Sequence, residues 1–372
     1  MIDTPGPWGT GPFTLVEGHS VINTEQAIIS ENPFAATWLW REDRTDSLRL
    51  LANTHYWNIE RGPHLNEILF RNDLLQERAL ELVCTTEGEV DIVTEVPPAD
   101  ARRVEHSKYA KLVAADAMRT VAGVINRDAA GLPLHDKQAR EALNLAIDRH
   151  RLVKEAMFGW ARPLAGLTPP NSLSVLFRLM GRLNPYPYDP KRAAKLWRAA
   201  GGSSRPLRLA APKALSRVAH RTAADLRESL GIDVEINLCQ NEAMLETRKR
   251  LAEKRVPQEW DILLLEQTTQ TSDAPVLELH RAFVGLSGEY RAGPPVPGFE
   301  KLWAKLHRET SLVKQAWIQN RIDRFVQDEA LALFLCAPQS LYAVNRHVDF
   351  TPYHTSFELA ECKVSKKHWS RR

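Results

Sequence analysis

The chain has 372 residues, more than one hydrophobic core ordinarily organises, so two lobes or domains are expected. Hydrophobic residues make up 44% and charged residues 26%, the balance of a soluble globular protein, which excludes the disordered and fibrous classes. With 49 Lys and Arg against 46 Asp and Glu, the formal net charge of +3 is too small and too evenly spread to predict binding to nucleic acid or a membrane surface.

In chain order, residues 13–17 follow a Gly/Pro-rich turn and read as a strand, 47–51 alternate, and 65–70 form a third short apolar run. The period then changes: 74–83 reads as a helix and 90–93 as the strand after it. Pro98 marks a helix over 98–106, and strands at 111–115 and 120–125 close this section. Asp136 is the expected N-cap of a helix whose apolar face is Ala142, Leu145 and Ala146. A Pro/Gly-rich loop covers 162–170, and Asp189-Pro190 opens a helix that stops at Gly201. Strands at 207–210, 234–238 and 261–265 then alternate with helices at 215–230 and 242–254, which predicts crossover connections and a largely parallel sheet. Helices at 299–307 and 313–326 lead to strands at 330–335 and 340–344. The end, with Lys366, Lys367, Arg371 and Arg372, reads as a solvated basic tail.

Signatures of catalysis and metal binding are missing. Cys84, Cys239, Cys336 and Cys362 lie far apart without a C-x-x-C pair, which predicts neither zinc site nor disulfide framework. The histidines are scattered, and His347, His354 and His368 read as surface residues without helical i, i+4 pairing. Gly9-Thr-Gly11 is followed by Pro12 and reads as a turn before a strand; no H-E-x-x-H, Walker or nucleophile-elbow pattern occurs. The chain is therefore expected to have no catalytic residues, no metal ligands and no cofactor. No apolar run is long enough to span a bilayer, and residues 1–8 carry neither the basic nor the apolar region of an export signal.

Six segments stand out together and in order: Gly9-Thr-Gly-Pro-Phe13, Ala52-Asn-Thr-His-Tyr-Trp57, Gly88-Glu-Val-Asp-Ile-Val93, Ala142-Leu-Asn-Leu-Ala-Ile-Asp-Arg149, Tyr188-Asp-Pro190 and Leu341-Tyr-Ala-Val344. In these the chain resembles family 5 solute-binding proteins, the binding components of dipeptide, oligopeptide and nickel ABC importers. Each word also has a bland physical reading as a turn, a cap or a packing face, so the words speak for fold more than for ligand.

The resemblance implies an α/β, two-lobed periplasmic-binding-protein-like fold (type II, cluster C-like), with a first lobe left incomplete because the family's long opening section is absent. Residues 1–126 would belong to the first lobe, 127–335 form the second, and 336–372 return to the first as a basic-tailed end. Its expected function is to bind a small polar solute or peptide-like ligand in the inter-lobe cleft for an ABC-type importer, without catalysis. The expected partners are that ligand and the transporter's membrane subunits, with no nucleic acid and a monomeric state. The family works in the periplasm; the chain as written shows no signal peptide, so the alternative is a cytoplasmic sensing or interaction module that keeps the fold. Arg119, Thr120 and Asn126 on the outgoing strand, and Gln267, Gln270 and Asp273 in the loop after 261–265, are the ligand-binding candidates. Peptide-binding members place a carboxylate in that loop to meet the ligand's ammonium, and Gln270 stands at that position here, with Asp273 three residues on.

Overall fold

The computed structural model describes residues 9–27, 37–170, 183–255, 259–269, 276–353 and 357–372. They fall into two compact units. Unit 1 comprises Met1–Ala27, Trp38–Asp116 and Ser340–Arg372; unit 2 contains Ala117–Gln339. The chain thus leaves unit 1 after Asp116 and returns after Gln339, where the sequence placed the boundaries at 126 and 335.

Unit 2 is built on a sheet whose centre is apolar on both faces. Strand Leu207–Pro212 runs parallel to Val234–Cys239 on one side and to Ile262–Thr268 on the other. Ile262–Thr268 is antiparallel to Arg119–Ile125, which is antiparallel to the first part of Ala332–Asn345. The sheet is therefore mixed, a correction to the largely parallel reading. Helical crossovers Ser216–Leu230 and Asn241–Ala252 make the first three strands parallel, whereas the strands entering and leaving the unit run against them. Helices on both faces explain the unbroken apolar run of Ile262 to Leu265. On one face Val121, Ile125, Ile262 and Leu264 pack with Leu143, Trp197 and Leu226; on the other Ala122, Val124, Leu263 and Leu265 pack with Phe283, Phe299 and Ile322. The expected strands 330–335 and 340–344 are one strand, Ala332–Asn345, because Pro338 stays in register with Ala161 and Gln339 N–H donates to Trp160 O.

Caps fall where the sequence puts them. Asp136 accepts from Gln138 N–H and Asp189 from Arg192 N–H, and the helix after Asp189 ends at Ala199, just before Gly201. One helix, Arg149–Ala156, was not read from the sequence, and it explains the Ala142 to Arg149 word. Asp148 caps it through Arg151 N–H. Arg149 is buried with no carboxylate partner among the described residues and donates to the carbonyl oxygens of Phe334, Asn144 and Tyr186 and to Asn144 Oδ1. Asn144 in turn bonds Ala332 O and Phe334 N–H, tying the helix pair to the strand. Every polar side chain of the word serves the fold.

Unit 1 holds an antiparallel three-stranded sheet, Phe13–Glu17, Ser47–Ala52 and Glu67–Arg71. Phe13, Leu15, Leu48, Leu50, Ile68 and Phe70 share one face by register, and all are half-buried or exposed. Elsewhere Ile92–Val93 pairs with Ala343 and Val344. The basic end is not a frayed tail. Asp91 accepts from Asn345 Nδ2 at 2.9 Å, His368 Nε2 at 3.0 Å and Trp369 Nε1 at 3.0 Å, so His368 is buried rather than a surface histidine. Charge density at 366–372 hid this anchor; His354 lies outside the described residues.

Candidate functional site

The strand Ile262–Thr268 emerges from between its helix layers after Leu265: the first four residues are buried, Glu266 and Thr268 are exposed and Gln267 is half-buried. The sequence reading ended this strand at 265. It continues because Glu266, Gln267 and Thr268 stay in register with Val121, Thr120 and Arg119. The polar side chains here are therefore held on a rigid sheet end, where ligands of open α/β sheets bind.

Alternation sorts them onto two faces. Glu266 and Arg119 lie on the face of Leu264 and Val121, and their ion pair is loose, with Arg119 Nη1 3.5 Å from Glu266 Oε1. Their side chains remain 25% and 34% exposed, so water or a ligand reaches both charges. Gln267 shares the other face with Leu265 and Thr120. Its Oε1 accepts from Tyr290 Oη at 3.2 Å and its Nε2 donates to Glu266 O at 2.8 Å. Tyr290 is buried edge-on against Phe283, and Arg248 both donates to its hydroxyl and lies over its ring, 5.2 Å from the centroid. Burial pushes the Tyr290 phenol well above its ordinary range, so it stays a neutral donor to Gln267.

Arg119, Thr120 and Gln267 are thus brought together. Thr120 is wholly buried with its hydroxyl donating to Leu167 O at 3.1 Å, which makes it part of the sheet's own bonding. Asn126 lies at the opposite end, six residues on and roughly 20 Å away along an extended chain. There its Oδ1 accepts from Asp128 N–H at 3.1 Å and its Nδ2 reaches Trp260 O at 3.4 Å. Gln270 and Asp273 lie outside the described residues. Sequence reasoning missed Glu266 as the counter-charge of Arg119, which cross-strand register alone reveals, and Tyr290 and Arg248, which come from distant loop and helix and carry no local signal.

Among the described residues no group of three or more His, Cys, Asp or Glu side chains could hold a metal ion, and no helix is long and apolar enough to cross a membrane. The arrangement offers one cation, one anion and a fixed amide at a sheet end.

The glutathione-binding protein GsiB of Shigella flexneri is 29% identical over 196 residues, 52% of this chain and 32% of GsiB, so the match spans about a third of that relative. In three dimensions the ABC transporter substrate-binding protein CtaP of Listeria monocytogenes superposes with TM-score 0.76 at 17% identity, covering 96% of this chain and 67% of CtaP. The periplasmic binding protein DppA of Helicobacter pylori, solved with the peptide STSA, gives TM-score 0.67 at 18% identity over 96% of this chain and 63% of DppA. The fold is that of these neighbours, the α/β, two-lobed type II periplasmic-binding class. Residues 4–277 match the middle section of the bacterial extracellular solute-binding proteins, family 5, and the chain belongs to that family.

Proposed function

We propose that this chain is the solute-binding component of an ABC-type importer, working on the extracellular or periplasmic side, and that it takes up a peptide-like zwitterion without chemical turnover. The observation that carries this reading is the Arg119–Glu266 pair: opposite charges on adjacent strands, 3.5 Å apart at a sheet end, with both side chains partly exposed. A ligand ammonium meets Glu266 and a ligand carboxylate meets Arg119, each in a charge-assisted hydrogen bond. Gln267, held by Tyr290, offers its remaining N–H to a peptide carbonyl. Support comes also from GsiB, a glutathione-binding protein, and from DppA with its bound peptide. None of these relatives supports the reading as a non-exported sensing module.

The test is a thermal-shift panel of dipeptides, tripeptides, glutathione, sugars and nickel chelates. Saturable stabilisation by one or more peptide-like zwitterions, absent with the N-acetylated or C-amidated analogue, is the expected result. Stabilisation by a sugar or metal chelate alone would overturn the ligand class.

A further inference from the structure

Beyond the far end of strand Arg119–Ile125, unit 2 gathers positive charge around one loop, residues 288–294. Arg127 Nη2 donates to Pro294 O at 2.5 Å and its backbone N–H to Ala292 O at 3.3 Å. Arg291 Nη1 donates to Gly293 O, and Lys254 Nζ donates to Gly288 O. Gly293 permits the close approach: its φ is 109°, and a Cβ there would lie 2.8 Å from Arg127 Cβ. Three cations from three separate segments thus converge on seven residues of chain.

Among the described residues, none of Arg127, Arg291 and Lys254 has a carboxylate within 4 Å, whereas nine other arginines of the unit do. Arg291 is 8% exposed, and its Nε–H is buried with no hydrogen-bond partner among the described residues. Backbone carbonyls orient the three groups but cannot neutralise them, and an unpaired buried guanidinium is unfavourable. Burial lowers Arg127 to about 10, with Arg140 and Arg291 adding repulsion, and lowers Lys254 to about 8, with Arg291 contributing. The acids within electrostatic reach are Asp128 for both arginines, Glu300 for Arg291 and Glu289 for Lys254, none in contact.

We propose that Arg127, Arg291 and Lys254 form a binding site for a multivalent oxyanion, with inorganic phosphate as its simplest occupant. The site is separate from the Arg119–Glu266 end, and no part of the peptide-binding reading enters the argument. A doubly charged oxyanion accepts from guanidinium and ammonium together and supplies the contact counter-charge that none of these acids gives. Arg127 and Lys254 are only half-buried, which leaves the cluster reachable.

The experiment is calorimetric titration of inorganic phosphate into the whole chain at pH 7 and constant ionic strength. Saturable one-to-one binding is expected, weakened about tenfold in Arg127→Gln and in Lys254→Met, as for loss of one charge-assisted bond. Arg119→Met should bind phosphate as the wild type does, and so should Lys301→Met/Lys305→Met, which depletes the exposed basic face of helix Pro297–Arg308. Raising the pH to 9 should weaken binding in the wild type and less so in Lys254→Met. Absence of saturable heat, or unchanged affinity in both Arg127→Gln and Lys254→Met, would overturn the proposal, as would loss of binding in the Lys301→Met/Lys305→Met variant.

Discussion

Two carboxylates stand at opposite ends of one strand, and the sheet treats them differently. Asp261, immediately before Ile262–Thr268, is fully buried and accepts five hydrogen bonds: from both Nη atoms of Arg205 at 2.7 and 2.6 Å, and from Arg208 N at 2.8 Å, Nη2 at 3.2 Å and Nε at 3.4 Å. Glu266, five residues later, keeps a third of its surface exposed, with Arg119 as its ion-pair partner among the described residues at 3.5 Å. Saturation marks a charge that holds the fold. Exposure at a sheet end marks a charge that solvent or a ligand can reach. Residue type and strand are the same in outline, so the difference lies in what surrounds each side chain.

The sharpest way to break the comparison is at the buried end. Asp261→Ala strands the guanidinium groups of Arg205 and Arg208 and should lower stability by about 3–5 kcal/mol in urea unfolding. A loss below about 1 kcal/mol would mean that the cluster is a surface pair of the ordinary kind. Burial alone would raise the Asp261 pKa, but the hydrogen bonds from Arg205 and Arg208 outweigh it and hold the carboxyl below its usual range. Because the folded value is depressed, this stabilisation is complete above about pH 4 and is lost as pH falls through the folded pKa. The wild type should therefore lose stability more steeply than Asp261→Ala on acidification below about pH 4, measured by denaturant midpoints.

At the accessible end the effects should move from stability to binding. Glu266→Gln should change unfolding by less than about 0.5 kcal/mol, as for an exposed pair, while weakening a peptide-like ligand by about 1.5–3 kcal/mol in calorimetry. A melting temperature that falls as far as that of Asp261→Ala would erase the distinction. The smallest effect belongs to Gln267→Ala, which removes a neutral amide and should weaken the same ligand by about 0.5–1.5 kcal/mol. Tyr290→Phe, which leaves Gln267 unanchored on that side, should reproduce part of that loss; equal affinity in both variants would place the amide outside the contact.

What could be read from the sequence follows from how local each feature is. The strand at Phe13–Glu17, the caps Asp136 and Asp189 and the helix end at Leu230 depend on a few neighbouring residues, and all are where the sequence puts them. Direction of pairing is not local: nothing within 119–125 says that it meets Ile262–Thr268 antiparallel, so the sheet was read as largely parallel. The end of that strand was misplaced because Glu266 and Gln267 look like loop residues, whereas their cross-strand partners keep them extended. At the candidate site, Arg119 and Gln267 were visible by position, but Glu266 as partner and Tyr290 as anchor exist only through contacts between distant segments. Similarly, His368 looked exposed in a run of lysines and arginines because Asp91, 277 residues earlier, is what buries it.

The central claim is that the Arg119–Glu266 sheet end receives the two charges of a zwitterionic ligand. Calorimetric titration of glutathione and the best-stabilising di- and tripeptides into wild type, Arg119→Met, Glu266→Gln and the double variant tests it most directly. The account predicts saturable one-to-one binding by the wild type, a loss of about tenfold or more in each single variant, and near-complete loss in the double variant without change in the unliganded melting temperature. Tight binding of the same peptide by the double variant would contradict it.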